Sequence, residues 1–474
     1  MTLTSTASSR TSPRRQGLLL ALLCVAQFMV YLDISIVNVA LPSIQESLGM
    51  AAGDLPYVVT AYGTVLGGFL LLGGRLADVF GRRRVLQIGL TVFAGTSLLA
   101  GLATDPAVLI AARGAQGLGA ALVTPAALSI LMDAFEPGPA RNKALGIWGS
   151  LTGIASVCGV LFGGVLTDGV GWRWIFWVNV PIGLAAVALA PFVLPESREP
   201  ARRRFDVAGA VVLTAGLLLL IHTLDQAVEL GWDSPRTIGG LLLAGALLIG
   251  FVRIELRTHS PLLPMSIFAR RTLRTANIVS IAVMGAVVTL FFFASLYMQQ
   301  VLGWTPMRTG VAYVPLASSV AAAAGVASVL VTRFSPRVVL VSGLVVTATG
   351  LLMLSRLGLD AAYAAEVLPA FVIVGVGLGL TFVPVQIMAL DDVDEQEFGV
   401  AAGLVSTSQE AGGALGLAVV STIVLAHIDS IVEAGRETAV AAQLSGFQLA
   451  FVAAACWVLG ALAVVLVDRV LSRR

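Results

Sequence analysis

The sequence contains little charge. Only 12% of its 474 residues are Asp, Glu, Lys or Arg, whereas a soluble domain usually carries about 25% charged residues. Such a low proportion cannot cover a water-exposed surface of this size. In contrast, 57% of the residues are hydrophobic and the mean hydropathy is +0.93. The composition therefore excludes a soluble enzyme, a nucleic-acid-binding protein and a secreted disulfide-bonded scaffold.

Cysteine and histidine are also scarce, at three residues each. Cys24, Cys158 and Cys456 lie far apart within apolar runs, which is typical of buried packing thiols and fits neither a disulfide framework nor a metal site. The phosphate-binding pattern G-x-x-x-x-G-K-[ST] is missing, and the G-x-G-x-G of residues 375–379 has no strand before it. We therefore expect no metal and no cofactor.

What the sequence has instead is a series of long apolar stretches. A continuous apolar stretch of about 18 residues or more predicts a membrane-spanning helix. We identify fourteen such stretches, joined by short connections, so the predicted fold class is an all-α integral membrane protein. The predicted helices span residues 17–41, 55–76, 84–103, 107–132, 143–166, 173–194, 206–224, 237–256, 275–300, 309–332, 337–356, 364–389, 399–426 and 446–469.

The basic residues are distributed unevenly between the connections. Arg and Lys favour cytoplasmic loops. If the N-terminus is cytoplasmic, all but six of the 29 Arg and Lys residues fall on the cytoplasmic side. Arg113 is the one that belongs to neither side, because it lies inside the fourth predicted helix and away from its ends. An odd number of helices would destroy this separation, so the sequence predicts that both termini are cytoplasmic.

Arg-rich segments divide the chain into parts. We expect a cytoplasmic tail at 1–16, a six-helix bundle at 17–194, cytoplasmic segments with linker helices 7 and 8 at 195–274, and a second six-helix bundle at 275–474. Residues 76–86 (LADVFGRRRVL) and 330–340 (LVTRFSPRVVL) share Leu, Phe, Arg, Val and Leu in register. Repeated six-helix halves are typical of a transporter that works by alternating access.

Several segments carry a family resemblance that covers nearly the whole chain. Residues 74–84 (GRLADVFGRRR) resemble the signature loop of the major facilitator superfamily, and residues 113–117 (RGAQG) resemble its helix 4 motif. Residues 32–42 (LDISIVNVALP), 172–183 (WRWIFWVNVPIG) and 299–303 (QQVLG) resemble motifs of the fourteen-helix drug:proton antiporter branch. The chain is therefore similar to multidrug efflux proteins, and the major facilitator fold is expected.

The resemblance implies a function. It implies a proton-coupled secondary active exporter of hydrophobic or cationic drugs, multi-pass in a bacterial inner membrane, with a small-molecule substrate, protons and lipid as its partners. We expect a monomer without nucleic acid, and the proton gradient as the energy source. Val160 stands where exporters of this branch usually carry proline, which keeps two alternatives open, a dedicated exporter of one natural product and an uncoupled facilitator. A membrane-embedded enzyme is disfavoured because clustered His, Asp or Ser at catalytic spacing is missing.

Three charged residues within the predicted helices are the candidates for proton coupling and substrate binding. Charged groups inside the membrane are costly and are functional by default. At a rise of about 1.5 Å per residue, Asp33 lies about 24 Å from the inner end of helix 1, and Arg113 lies about 9 Å from the outer end of helix 4. The two therefore share a depth and could pair. Glu410 lies about 17 Å from the inner end of helix 13, close to the midplane.

The signature loop is expected to gate transport. Asp78 and Arg82 could form a charge cluster with Asp133 at the inner ends of their helices, while Gly74 would permit close helix approach and Gly81 a tight turn. The alternative is a loop that only sets topology through its positive charge.

Helix 5 and a set of polar or aromatic residues complete the predicted site. Small residues at four-residue spacing permit close helix packing, and π faces can hold a cationic drug. The helix 5 stripe is Gly149, Gly153, Gly159 and Gly163. The candidate cavity residues are Tyr31, Asn38, Gln116, Trp148 and Tyr297.

Overall fold

The described part of the chain folds as a bundle of fourteen helices that are long and apolar enough to cross a membrane. The computed structural model describes residues 13–50, 55, 57–195, 206–258, 261–391, 393, 394, 397–433 and 439–471. In chain order the helices are α1 (Pro13–Leu48), α2 (Tyr57–Phe80), α3 (Arg82–Leu102), α4 (Pro106–Ala134), α5 (Pro139–Gly169), α6 (Trp174–Val193), α7 (Val207–Leu230), α8 (Pro235–Glu255), α9 (Arg271–Val301), α10 (Met307–Arg333), α11 (Pro336–Leu354), α12 (Tyr363–Leu390), α13 (Phe398–Glu433) and α14 (Ala439–Leu471).

The number of helices confirms the prediction, but several helices are longer than their apolar runs. The helix α1 continues past Pro42 to Leu48, beyond the predicted end at residue 41. Ile44 explains the extension, because it is fully buried in a hydrophobic cluster with Val58 and Phe176. Hydropathy alone cannot detect such an extension, since amphipathic turns that pack on neighbours need not be apolar throughout.

Local signals in the sequence set the helix ends. Asp105 caps α4, and its carboxylate accepts a hydrogen bond from the backbone N–H of Ala107 at 2.8 Å. Asp206 caps α7 in the same way through Gly209 N at 2.9 Å. A side-chain oxygen at this position satisfies a donor that the helix leaves unpaired. Between α2 and α3, Gly81 has a φ of 100°, a conformation that favours glycine, so the predicted tight turn is present.

The first six helices and the last six pack in the same pattern. In the first set α2 and α3 pack on α4, α1 packs on α5, and α3 contacts α6. In the second set α10 and α11 pack on α12, α9 packs on α13, and α11 contacts α14. Each of these contacts in the second set corresponds to a contact in the first set between helices whose numbers are lower by eight. The short echo between residues 76–86 and 330–340 falls at equivalent positions, the α2–α3 and α10–α11 junctions.

Two helix pairs make the main contacts between the sets, and a hairpin lies beside one of them. The helix α2 packs on α13, and α5 packs on α10. The helices α7 and α8 pack on each other, and α7 also contacts both α2 and α13. Most of the predicted N-terminal tail, at 1–12, and the segment 196–205 lie outside the described residues.

Candidate functional site

The carboxylate of Asp33 is the centre of a buried polar cluster. Asp33 is 0% exposed, on α1. Its Oδ2 atom accepts a hydrogen bond from Arg113 Nη1 of α4 at 2.5 Å, and its Oδ1 atom accepts bonds from Gln116 Nε2 at 2.7 Å and Asn179 Nδ2 at 2.9 Å. The predicted pairing of Asp33 and Arg113 is thus present. A buried charge pair is tolerated only when further hydrogen bonds satisfy it, and here the amides provide them.

The guanidinium of Arg113 is held from several sides. Its Nε atom donates to the carbonyl oxygen of Val58 at 2.9 Å, and its Nη1 atom also donates to Gln116 Oε1 at 2.7 Å. The ring of Tyr62 lies 4.4 Å from the guanidinium carbon, a cation–π distance. Arg113 is 1% exposed. The cluster therefore fixes one geometry for the ion pair.

Sequence reasoning missed three members of this cluster. Asn179 from α6, Ser97 from α3 and Tyr62 from α2 are all buried. Ser97 Oγ accepts a hydrogen bond from Gln116 Nε2 at 2.8 Å, so the amide is oriented toward Asp33. Asn179 lies within the segment 172–183 that carries the family resemblance, and this was the available signal. The other two are ordinary residues for an apolar helix.

Glu410 lines a separate cavity at the centre of the bundle. The cavity has a volume of about 90 Å³ and is formed by residues of α1, α2, α4, α5, α9, α12 and α13. Tyr31 and Trp148 line it, as predicted, together with Gln386 and Gln409. The cavity lies between the two sets of six helices, where a substrate in contact with both would sit.

The other three candidate cavity residues do not line this cavity. Gln116 is buried in the Asp33 cluster. Asn38 is exposed, and its Nδ2 atom donates to the Ile34 carbonyl one turn earlier at 2.8 Å. Tyr297 is 1% exposed, and its hydroxyl donates to the carbonyl of Gly358 at 2.7 Å. Asp33 itself does not line the cavity either. The rotation of each helix about its own axis decides which side chains face the cavity. Residue spacing alone does not specify that rotation.

The predicted charge cluster forms at the end of the bundle where Gly81 lies, here called the Gly81 end. Arg82 Nε lies 3.6 Å from Asp78 Oδ1, and Arg82 Nη1 lies 3.6 Å from Asp133 Oδ2. The guanidinium carbon of Arg82 also lies 5.7 Å from the centre of the Phe398 ring. The cluster therefore connects α2, α3 and α4 of the first set with α13 of the second.

Asp78 makes a direct polar link between the two sets. Its carboxylate accepts hydrogen bonds from the backbone N–H groups of Gly399 and Val400, at 3.1 and 3.0 Å. These donors belong to the first turn of α13, where N–H groups lack partners within the helix and a negative charge is favourable. A carboxylate of α2 thus caps a helix of the opposite set.

Gly74 permits this approach. A Cβ atom at Gly74 would collide with the backbone carbonyl of Gly399, which cannot move aside as a flexible side chain can. The expectation of close helix approach at Gly74 is confirmed.

The glycine stripe of α5 faces three neighbouring helices, α12, α10 and α1. A Cβ at Gly149 would lie 3.3 Å from a methyl group of Val383 on α12, and one at Gly153 would lie 2.5 Å from the Ala317 carbonyl on α10. Cβ atoms at Gly159 and Gly163 would meet the α1 backbone at Ile36, each at 3.1 Å. The helix runs unbroken through residue 160, although the side chain of Val160 lies outside the described residues.

Comparison with known proteins shows which family this chain belongs to. The family model of the Major Facilitator Superfamily matches residues 23–417. The chain is 38% identical over 424 residues to the puromycin resistance protein pur8 of Streptomyces alboniger, covering 88% of this chain and 84% of that protein. It is 40% identical over 423 residues to the cephamycin export protein CmcT of Amycolatopsis lactamdurans, covering 88% and 86%.

Solved structures show the same fold. The crystal structure of the human organic anion transporter MFSD10 (TETRAN) matches with a TM-score of 0.70 at 14% identity, covering 96% of this chain and 100% of that one. At this identity the likeness concerns the fold alone.

Proposed function

Since this chain belongs to the major facilitator superfamily, we propose that it is a proton-coupled exporter of hydrophobic or cationic drugs that works by alternating access. The buried Asp33–Arg113 pair is the observation that carries the proposal. A fully buried ion pair in a membrane protein is costly. Uptake of a proton by its carboxylate would give the pair a function in transport. The resistance and export named for the two relatives support a drug as the substrate.

In the proposed cycle, Asp33 binds and releases a proton, and its ion pair with Arg113 breaks and forms in turn. With Asp33 charged, Arg113, Gln116 and Asn179 hold it in the arrangement described above. A proton on Asp33 removes the charge that Arg113 neutralises, so the pair loosens and α1 can move relative to α4. Substrate occupies the central cavity, where Glu410 offers a negative charge to a cation and Tyr31 and Trp148 offer aromatic faces.

The proposed location is a bacterial cell membrane with both termini in the cytoplasm. Arg82, Arg83 and Arg84 lie at the Gly81 end, and basic residues favour the cytoplasmic side. The Asp78 link to α13 then closes the cytoplasmic side of the transporter. The energy comes from the proton gradient, which is worth about 2.3 kcal/mol per charge for each 100 mV.

A dedicated exporter of one natural product is the second candidate. One relative is named as a cephamycin export protein, which supports this alternative. A transport assay with a panel of cationic dyes and with puromycin separates the two: a multidrug exporter accepts several compounds, while a dedicated exporter accepts at most one.

The test of proton coupling uses inverted vesicles with an imposed pH gradient, acid inside, and ethidium as the cationic dye. We expect gradient-driven uptake in the wild type and a loss of about tenfold or more in Asp33→Asn, since the amide cannot exchange a proton. Asp105→Asn is the matched control, because Asp105 is exposed and asparagine also caps helices well. Gradient-driven uptake by Asp33→Asn at the wild-type rate would contradict the mechanism.

A further inference from the structure

The segment 261–270 connects the α7–α8 hairpin to α9. It consists of irregular backbone followed by a 3-10 turn at Met265–Ala269. Leu262 and Ile267 are 0% and 1% exposed and belong to the main hydrophobic cluster of the protein. Connecting segments usually run over the surface, because buried irregular backbone leaves polar groups without partners. The burial of this segment therefore depends on side chains that bind its backbone.

Arg75 joins this segment to the first six helices. It lies in α2, next to Gly74, and is 2% exposed. Its Nη2 atom donates a hydrogen bond to the carbonyl oxygen of Pro261 at 2.9 Å. A hydrogen bond from a charged donor is stronger than one between neutral groups, and a buried charge requires such partners. The bond connects α2 with a residue 186 positions further along the chain.

Glu255 holds the same part of the segment from the hairpin. It is the last residue of α8 and is 3% exposed. Its two carboxylate oxygens accept hydrogen bonds from the backbone N–H groups of Leu262 and Leu263, each at 3.2 Å. Buried backbone donors need such acceptors when no helix or sheet provides them. Glu255 thus fixes the backbone that presents the Pro261 carbonyl to Arg75.

Arg270, at the other end of the segment, contacts the residues that lead into α13. Its Nη2 atom lies 2.8 Å from Asp394 Oδ2 and 3.3 Å from Glu397 Oε2. Glu397 is the residue before α13. The segment therefore binds α2 of the first set at one end and the beginning of α13 in the second set at the other. These are the same two helices that the Asp78 cap connects.

We propose that residues 261–270 form a strap that holds the Gly81 end closed, with Arg75 and Glu255 as its positioning residues, a role that rests on the alternating access of the proposed function. The strap is joined to the second set by the chain itself, through α9, and by the Arg270 ion pairs. Arg75 links it to the first set. When α2 moves away from α13 the Arg75 bond must break, so this bond favours the closed state.

The test measures how fast a cysteine in the central cavity reacts from each side of the membrane. Ser406→Cys, at a cavity position, is introduced into the full chain without its native cysteines, and a membrane-impermeant maleimide is the probe. Inverted vesicles expose the cytoplasmic side, and right-side-out vesicles expose the other side. We expect Arg75→Ala to label about tenfold faster in inverted vesicles. Labelling in right-side-out vesicles should not rise, because the two openings exclude each other.

Three milder variants extend the test and decide it if Arg75→Ala does not insert into the membrane. Arg270→Gln removes partly exposed ion pairs and should speed labelling in inverted vesicles by about twofold. Glu255→Gln keeps an oxygen acceptor for one of the two N–H groups and should speed it by about threefold. Arg75→Lys keeps a charged donor for the Pro261 carbonyl and should restore most of the wild-type rate.

Arg83→Ala is the matched control. Arg83 lies at the same end, and its Nη1 atom donates to the carbonyl oxygens of Leu194 and Pro191, at 3.3 and 3.4 Å, within the first set. The variant removes the same charge and a contact of the same kind without affecting the strap, so labelling should not change. Equal acceleration in Arg83→Ala and Arg75→Ala would mean that loss of charge alone opens this end, and the strap would be overturned.

The other outcomes separate the strap from the proposed function. Faster labelling of Arg75→Ala from both sides would indicate a loosened fold, and labelling at the wild-type rate would show that the strap does not hold the junction. Either result overturns the strap, even in a chain whose wild type exports ethidium. The labelling requires neither ethidium nor a pH gradient. A wild type that transports no ethidium would therefore contradict the proposed exporter, while the labelling rates would still decide the strap.

Discussion

The two helix pairs that make the main contacts between the halves of the bundle are equivalent in packing but differ at the Gly81 end. Between α2 and α13 the backbones touch at Gly74 and Gly399, and Asp78 caps the partner helix. Between α5 and α10 a groove of about 510 Å³ remains, lined by Lys143 and Thr332 among others. One junction is closed by backbone and charge, whereas the other is open.

The difference arises from a few positions. When residues 76–86 are aligned with 330–340, Thr332 takes the place of Asp78, so α10 offers no carboxylate to the opposite half. The first turn of α5 follows Gly138, and no side chain caps it there. The two halves thus repeat the same fold, but among the described residues only the α2–α13 junction has a carboxylate that caps the opposite helix. In the proposed transport cycle, the α2–α13 junction is the contact that must break before the Gly81 end opens.

The largest effect is expected from Gly74→Ala. The added methyl group collides with the Gly399 carbonyl, and backbone in a packed interface cannot give way without separating the helices. We expect ethidium transport in vesicles to fall by about tenfold or more while the amount of inserted protein stays normal. Transport at the wild-type rate would show that α2 and α13 need not approach this closely in any state of the cycle.

A smaller effect is expected from Asp78→Asn. The amide keeps the size of the side chain but removes the charge that faces the first turn of α13 and Arg82. A charge at a helix N-terminus is worth about 0.3–2 kcal/mol, so the closed junction should open several-fold more often. The measurement is maleimide labelling of Ser406→Cys, a cavity position, in inverted vesicles of a variant without the native cysteines.

The equivalent change in the other half provides the control for Asp78→Asn. Thr332→Asn places the same neutral amide in the α5–α10 groove, where α10 has no carboxylate to lose, so labelling should not change. Equal effects of the two substitutions would mean that the junctions are held alike, contrary to the comparison.

Much of this fold follows from the sequence because the membrane imposes simple rules. Apolar length predicted all fourteen helices, and depth along α1 and α4 predicted that Asp33 and Arg113 could meet. Depth works because both residues lie on helices that cross the same apolar layer. It determines how far along a helix a residue lies, and it leaves the rotation of that helix open.

Rotation and cross-half packing account for what the sequence could not predict. Gln116 was expected in the cavity, but its side chain lies on another face of α4 and donates a hydrogen bond to Asp33. Tyr62 carries no sequence signal, because an aromatic residue in an apolar helix is ordinary until its buried hydroxyl is seen to lack a described partner. The Asp78 cap on α13 joins residues 321 positions apart, which no local pattern in the sequence encodes.

The smallest effect is expected from Gly325→Ala, which makes the same substitution as Gly74→Ala in the open junction. Gly325 lines the α5–α10 groove, and a Cβ there would meet nothing within 4 Å. Alanine stabilises a helix interior by about 0.5–1 kcal/mol relative to glycine, so the melting temperature should rise slightly and transport should stay within about twofold. A large loss of transport with normal insertion would mean that the groove closes on α5 during the cycle, and the two junctions would then differ only in the state seen here.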